Sequence, residues 1–506
     1  MHIDIHSQLT LEDLIRVSRE YQEVEISQDS INAIDLSHEQ VIRIVEKAKP
    51  VYGINTGYGI FADKTIPENQ IRRLNRNLII SHAVASGEPL AFDIVRAAIL
   101  VRANTLSKGF SGVRKELILG LMEMLNKQVT PIIPRQGSLG SSGDLCLLSH
   151  LALVLTRDDQ DLETESGFAD YHGETLSGKK AMELANIERI ILGPKEGIAL
   201  NNGATFSAAI GALAVADAEY LLHVAEISAA LSMEALCACS AAFDDRIHQL
   251  RLQTGQIETA GNIRALVEGS NLIDSSGKVQ DAYSLRCAPQ VQGAVRDSVS
   301  YARQIIEKEI NAVTDNPLIF QPGMALSGGN FHGEPVGIIM DLLGISLCEL
   351  GAISERRTFR LSDENLSNGL PPMLVDQNQN AGLNSGLMIP QYTAASLVLE
   401  NQTLATPDSI RSLPTSANQE DHNANAMTAA RHAYEIAENV RQILAIELYT
   451  AAHAIDLRMK NTQVKLGRGT SVAYQKIREM VPYRSSDALW GPEIHKINQM
   501  IKNRDF

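Results

Sequence analysis

Three glycines and three serines crowd the stretch Gly137-Ser138-Leu139-Gly140-Ser141-Ser142-Gly143-Asp144, and an apolar run from Leu145 to Leu155 follows it. Read from residue types alone, this is a flexible turn with Asp144 capping the start of a buried helix. A second reading makes one serine a hydrolase-type nucleophile. That elbow requires a strand ahead of it, and Pro131 and Pro134 discourage one. Two other glycine-bearing stretches imitate known chemistry and fail on detail. Gly173-Glu174-Thr175-Leu176-Ser177-Gly178-Lys179-Lys180 nearly spells a phosphate loop, but its last position is Lys, so no hydroxyl reaches a metal. Gly57-Tyr58-Gly59-Ile60-Phe61-Ala62 mimics a dinucleotide fingerprint, yet Pro67 follows too soon for the required helix. No HExxH or paired-cysteine metal motif is present.

Something must hold these residues in place. The chain has 506 residues, two to four domains at roughly 150 residues each, and can bury a large core. Aromatic residues make up only 5%, while Ala and Leu abound, a balance that favours helices over sheets. Val295, Val299, Ala302, Ile306 and Ile310 recur at helical spacing, as do Ala430, Ala433, Ala437, Val440, Leu444 and Leu448. The second stripe carries Arg431, Glu435, Glu438 and Arg441 on its other face. Narrow Ala-rich stripes predict close packing in a helical bundle that also makes subunit contacts. Residues 1 to about 110 mix short elements with turns, including a strand expected over Gln22 to Ser27 and a loop over Tyr52 to Gly59. Asp158 to Gly178 reads as an exposed acidic connector.

The net charge of -15 argues against nucleic acid or an anionic membrane as partner. No uninterrupted apolar run approaches the roughly 18 residues of a membrane span, and the amino terminus lacks a signal core. Five scattered cysteines, Cys146, Cys237, Cys239, Cys287 and Cys348, read as reduced thiols in a cytoplasm.

Gly140-Ser141-Ser142-Gly143-Asp144-Leu145 resembles the signature of the aromatic amino acid ammonia-lyases, those acting on histidine, phenylalanine or tyrosine. Six further stretches resemble the same family in its order: Tyr52 to Gly59, Leu200-Asn201-Asn202-Gly203, Gln280 to Cys287, Thr314-Asp315-Asn316-Pro317, Gly328 to Gly333, and Asn418-Gln419-Glu420-Asp421-His422. The likeness covers nearly the whole chain. It implies a mainly α fold, a long-helix bundle of the aspartase/fumarase-like type over 111–506 with a small mixed α/β domain over 1–110. It also implies a homotetramer whose pockets draw on several chains.

In that family an Ala-Ser-Gly triplet cyclises into a methylidene-imidazolone (MIO), so Ser141, Ser142 and Gly143 are the expected source of this self-made cofactor. The Gly143 nitrogen must reach the Ser141 carbonyl carbon, an approach that glycine allows at little steric cost. By resemblance Tyr52 is the base, which calls for a lowered pKa; Arg286 pairs with the substrate carboxylate; Tyr283 approaches from a neighbouring subunit; and Asn202 bonds near the electrophile. Gln280 and Phe331 shape the pocket. Ser81-His82-Ala83 and Glu420 point to L-histidine, because a buried carboxylate beside a phenyl ring would go unpaired, at a cost of several kcal/mol. The expected reaction is elimination of ammonia to give trans-urocanate. Its alternatives are a phenylalanine or tyrosine lyase, a 2,3-aminomutase, and a non-catalytic helical scaffold. Without the motifs, Tyr52, His82 and Arg286 would read as a packed tyrosine, a satisfied core histidine and an ordinary ion-pair partner. The chain departs from the family pattern where Ser141 replaces Ala, Cys146-Leu147 replaces Ala-Pro, and Ala204 and Ala288 replace Thr and Gln.

Overall fold

A computed structural model describes residues 3–4, 8–47, 49–376 and 380–506. Helices dominate, as expected, and the strands among the described residues form only small sheets of two or three. Both apolar stripes lie where their spacing predicts. Val295 to Ile306 are buried on the helix Ala288–Glu309, and Ala430 to Leu448 on the helix Ala426–Asn461. On the outer face of the latter Arg441 pairs with Glu438.

The helices Thr205–Ala235 and Glu334–Ser362 are long and apolar enough to cross a membrane. However, 78% and 67% of their apolar windows are buried against protein, which is how core helices behave. The sequence reading missed their apolarity because small and polar residues interrupt each run. All five cysteines are free.

The chain divides into two compact units, one of Met1–Ala216, Arg303–Asp341 and Pro407–Arg431, the other of Asp217–Ala302, Leu342–Thr406 and His432–Phe506. In the first unit the helices Ile71–His82, Leu145–Leu155 and Glu196–Asn201 pack against one another. His82, Asn202 and the loop before Leu145 lie at or beside their ends. The apolar run from Leu145 is a helix, almost all of it buried. Ahead of the short helix, Lys195 adopts φ +73° and pairs with Asp315 at 2.6 Å, both side chains fully buried. Left-handed backbone at a lysine is uncommon, and the ion pair pins the turn that starts this helix.

Two local expectations needed revision. The strand expected over Gln22 to Ser27 is two residues, Val24–Glu25, paired in parallel with Ile3–Asp4. The connector Asp158 to Gly178 contains a hairpin, Phe168–Tyr171 against Glu174–Ser177, whose first strand pairs with Val129–Pro131. The phosphate-loop mimic Gly173 to Lys180 is therefore the end of the hairpin tip, its second strand and the start of the helix Gly178–Leu184, with the tip residues His172 and Gly173 at φ +53° and +85°. Strands of only four residues each are too short for the period-two signal to stand out.

In the second unit Arg357 and Glu447 form an ion pair with no exposure, and Ser232 and Ser354 each donate to Glu447 at 2.6 Å. Removing one charge there would strand the other, typically a loss of about 3–5 kcal/mol.

Candidate active site

Against the expectation that Pro131 and Pro134 discourage a strand here, both lie at strand ends, and the serine–glycine loop follows the strand Pro134–Gln136, which pairs with Ser86–Pro89 just beyond His82. Gly140 and Gly143 take φ +67° and +76°, conformations that side chains resist. Gly143 sits so close to Gly203 that an added Cβ would lie 2.1 Å from the Gly203 carbonyl carbon. The Asp144 amide donates to the Gly203 carbonyl at 2.9 Å, locking the two loops together. Here the turn reading needs correction, because Asp144 does not cap the helix it precedes. Its fully buried carboxylate accepts instead from the Ser207 amide at 2.9 Å, from the Ser207 hydroxyl, and from Ser138 Oγ at 2.6 Å. It thus serves the first turn of the helix Thr205–Ala235. Burial nevertheless raises its pKa.

Ser142 is held on two sides. Its carbonyl accepts from Asn202 Nδ2 at 2.7 Å, and its hydroxyl donates to Glu420 Oε1 at 2.8 Å. Asn202 is itself fixed by the buried Arg102, whose guanidinium donates twice to the Asn202 carbonyl, at 2.8 and 2.6 Å. Burial pulls the Arg102 pKa down to about 10, while Asp315 and Asp144 oppose the shift. Glu420 rides on a loop closed by a backbone bridge to Thr415.

Around these groups a cavity of about 960 Å³ is lined by Tyr52, Tyr58, His82, Ser142, Asn202 and Glu420. That is a volume for a small-molecule ligand. A second hollow of about 570 Å³ shares Tyr52, Ser142 and Glu420 and adds Ser141 and Phe331. Ser81 lines the first cavity, and its hydroxyl lies 3.0 Å from His82 Nδ1. Burial lowers the His82 pKa, with Glu420 pulling the other way, so the ring favours its neutral form. Tyr52 meets Tyr58 edge to face, with 6.5 Å between ring centres. Burial, and then the Glu420 carboxylate, raise the Tyr52 pKa against a lowering bond from the Gly59 backbone. This runs opposite to the lowering expected of a base, because burial disfavours the phenolate and the charge facing Tyr52 is an anion.

The first unit thus gathers Tyr52, Ser81, His82, Ser141, Ser142, Gly143, Asn202, Phe331 and Glu420. Gln280, Tyr283 and Arg286 belong to the second unit. There Arg286 bonds to Gln280 and stacks 4.9 Å over the Tyr283 ring, Arg286 Nε is buried without a partner, and Tyr283 is 69% exposed. Sequence reasoning missed Arg102, Tyr58, Asn201 and Asn423. The Tyr58 hydroxyl and the side-chain oxygens of Asn201 and Asn202 are buried with no partner. Tyr58 and Asn201 lie within the family-like stretches Tyr52 to Gly59 and Leu200 to Gly203, which could have flagged them, whereas Arg102 and Asn423 act on residues distant in sequence. Among the described residues no cluster of three His, Cys, Asp or Glu could hold a metal ion.

The sequence model of the aromatic amino acid lyases matches residues 9–479. A histidine ammonia-lyase of Alkaliphilus oremlandii is 48% identical over 497 residues, 98% of this chain and 95% of the relative. Among solved structures, histidine ammonia-lyase from Trypanosoma cruzi superposes with TM-score 0.90 at 36% identity, over 99% of this chain and 93% of that one. Tyrosine aminomutase from Streptomyces globisporus superposes with TM-score 0.93 at 34% identity, over 100% and 97%.

Proposed function

The chain belongs to the aromatic amino acid lyase family, and we propose that it eliminates ammonia from L-histidine to give trans-urocanate with an MIO group made from Ser141, Ser142 and Gly143. The observation that carries this reading is Gly143 pressed against Gly203 with no room for a side chain, while Glu420 holds the adjacent Ser142 hydroxyl. The residues fit the group. Gly143 has the conformational freedom that ring closure needs, and Asn202 presents an unpartnered buried oxygen beside the Ser142 carbonyl it already grips. In forming the ring, the Gly143 nitrogen bonds to the Ser141 carbonyl carbon. The Ser141 carbonyl oxygen leaves as one water, and the Ser142 hydroxyl with its α-hydrogen leaves as a second.

The finished group supplies an electrophile that draws electrons from the substrate and so eases departure of its amine. The chain's own residues supply the rest. Tyr52 takes the β-proton of the substrate, and Glu420, with His82 beside it, offers a carboxylate to the imidazole. A phenyl ring there would leave that carboxylate unpaired, a penalty of several kcal/mol. Arg286 grips the substrate carboxylate, Gln280 and Phe331 shape the pocket, and Tyr283 completes it from a neighbouring subunit of a homotetramer. The free thiols suit a cytoplasmic enzyme.

The test is twofold. Purified protein should weigh two waters less than its sequence and should convert L-histidine to a product with the ultraviolet spectrum of urocanate. An active enzyme of unmodified mass would overturn the MIO. Cinnamate, coumarate or a β-amino acid as main product would overturn the substrate.

A further inference from the structure

The Ser141 hydroxyl has no part in ring closure, which uses only that residue's carbonyl. It nevertheless has a buried, dedicated partner. Ser141 is 4% exposed and donates to Asn423 Oδ1, while Asn423, 1% exposed, donates through Nδ2 to the Leu413 carbonyl. The Asn423 amide also donates to Ser412 Oγ at 2.8 Å. Asn423 therefore clamps the neck of the loop whose far end is closed by the Thr415–Glu420 bridge. The loop needs such a clamp, because Ser416, Ala417 and Asn418 all hold positive φ.

We propose that Ser141 is a positioning residue whose hydroxyl, through Asn423, keeps the Glu420 carboxylate in register with the electrophile after maturation. The inference rests on the MIO reading and follows from its bookkeeping of atoms. Ring formation expels the Ser142 hydroxyl, so the 2.8 Å bond that first holds Glu420 disappears and its carboxylate is released for the substrate. Two ties then join the loop to residues 139–141: the Asn425 amide to the Leu139 carbonyl at 2.7 Å, and the Ser141–Asn423 bond. The second lies nearer Glu420 in sequence. A chain with alanine at 141 would lack it.

The experiment compares full-length wild type, Ser141→Ala, Asn423→Ala, the double variant and Ser141→Thr, with intact mass and steady-state kinetics on L-histidine for each. Both single variants should lose two waters, as wild type does, and show KM raised about 3- to 10-fold, the scale of one neutral hydrogen bond, with kcat changed less. The double variant should be no worse than the poorer single, because both break one link. Ser141→Thr, which keeps a hydroxyl, should restore KM. Unchanged KM in either single variant, multiplying effects in the double, or singles that keep their full unmodified mass would each overturn the proposal. Wild type of unmodified mass, or inactive on L-histidine, would instead count against the function it rests on.

Discussion

Two regions carry the chemistry expected of this chain, and they differ in how far their own surroundings prepare them. Around Ser142 every backbone turn is pinned. Gly143 abuts Gly203, Arg102 fixes Asn202, and Asn202 and Glu420 grip Ser142 from two sides. Around half-buried Arg286 the contacts are few, with Gln280 and Tyr283 as its partners, its Nε buried without one, and Val279 nearby in sequence 97% exposed. Gly203, Arg102, Asn202 and Glu420 all come from this chain, so it holds the first region by itself. An arginine bonded to an exposed glutamine can exchange that partner cheaply, since such contacts contribute little in water. The comparison teaches that this chain holds the Ser141-Ser142-Gly143 loop firmly by itself and leaves Arg286 loosely held, a contrast that fits the proposal of a pocket shared among subunits.

The sharpest break would come from Ser142→Ala. It should keep full unmodified mass and lose activity by on the order of a thousandfold or more, the scale of removing a principal source of transition-state stabilisation. A variant that turns over normally would dissolve the distinction between the regions. Next, Tyr52→Phe should lose about 10²- to 10⁴-fold in kcat, the usual worth of a positioned base, while its mass still falls by two waters. If both mass and rate survive, Tyr52 is only a wall.

The exposed region is tested by Arg286→Ala. With its clamp gone, KM for L-histidine should rise about ten- to a hundredfold, the range for hydrogen bonds to charged groups, with the ring still formed. Unaltered kinetics would remove that segment from the site. The smallest effect is a displacement in pH. Because the Glu420 carboxylate disfavours a nearby phenolate, it raises the Tyr52 pKa. Glu420→Gln should therefore move the rising limb of the kcat/KM profile to lower pH, beyond any weakening of binding. A limb that stays put, or moves up, would separate Tyr52 from the titrating base.

Much of this was legible in the residues. The helical stripes at 295–310 and 430–448 follow from spacing alone, whereas the loop before Leu145 reads as a plain turn until its resemblance to a family marks it for chemistry. The hairpin at 168–177 was not, because its strands are only four residues each, too short for alternation to stand out. Nor was the true partner of Asp144, which looks in sequence like a cap for the next residue's helix and binds Ser207 instead.

By itself the sequence determined which side chains are available and where helices run, and its family resemblance singled out Ser141-Ser142-Gly143 as the triplet proposed to cyclise. Those properties depend on neighbours within a few positions. Tertiary structure alone decided that Gly203 would stand behind Gly143, that burial, with an anion beside it, would raise rather than lower the Tyr52 pKa, and that Ser141 would find Asn423. Each of these depends on burial and on distances between stretches far apart along the chain. Local spacing cannot encode such distances, because they are fixed only when the core closes.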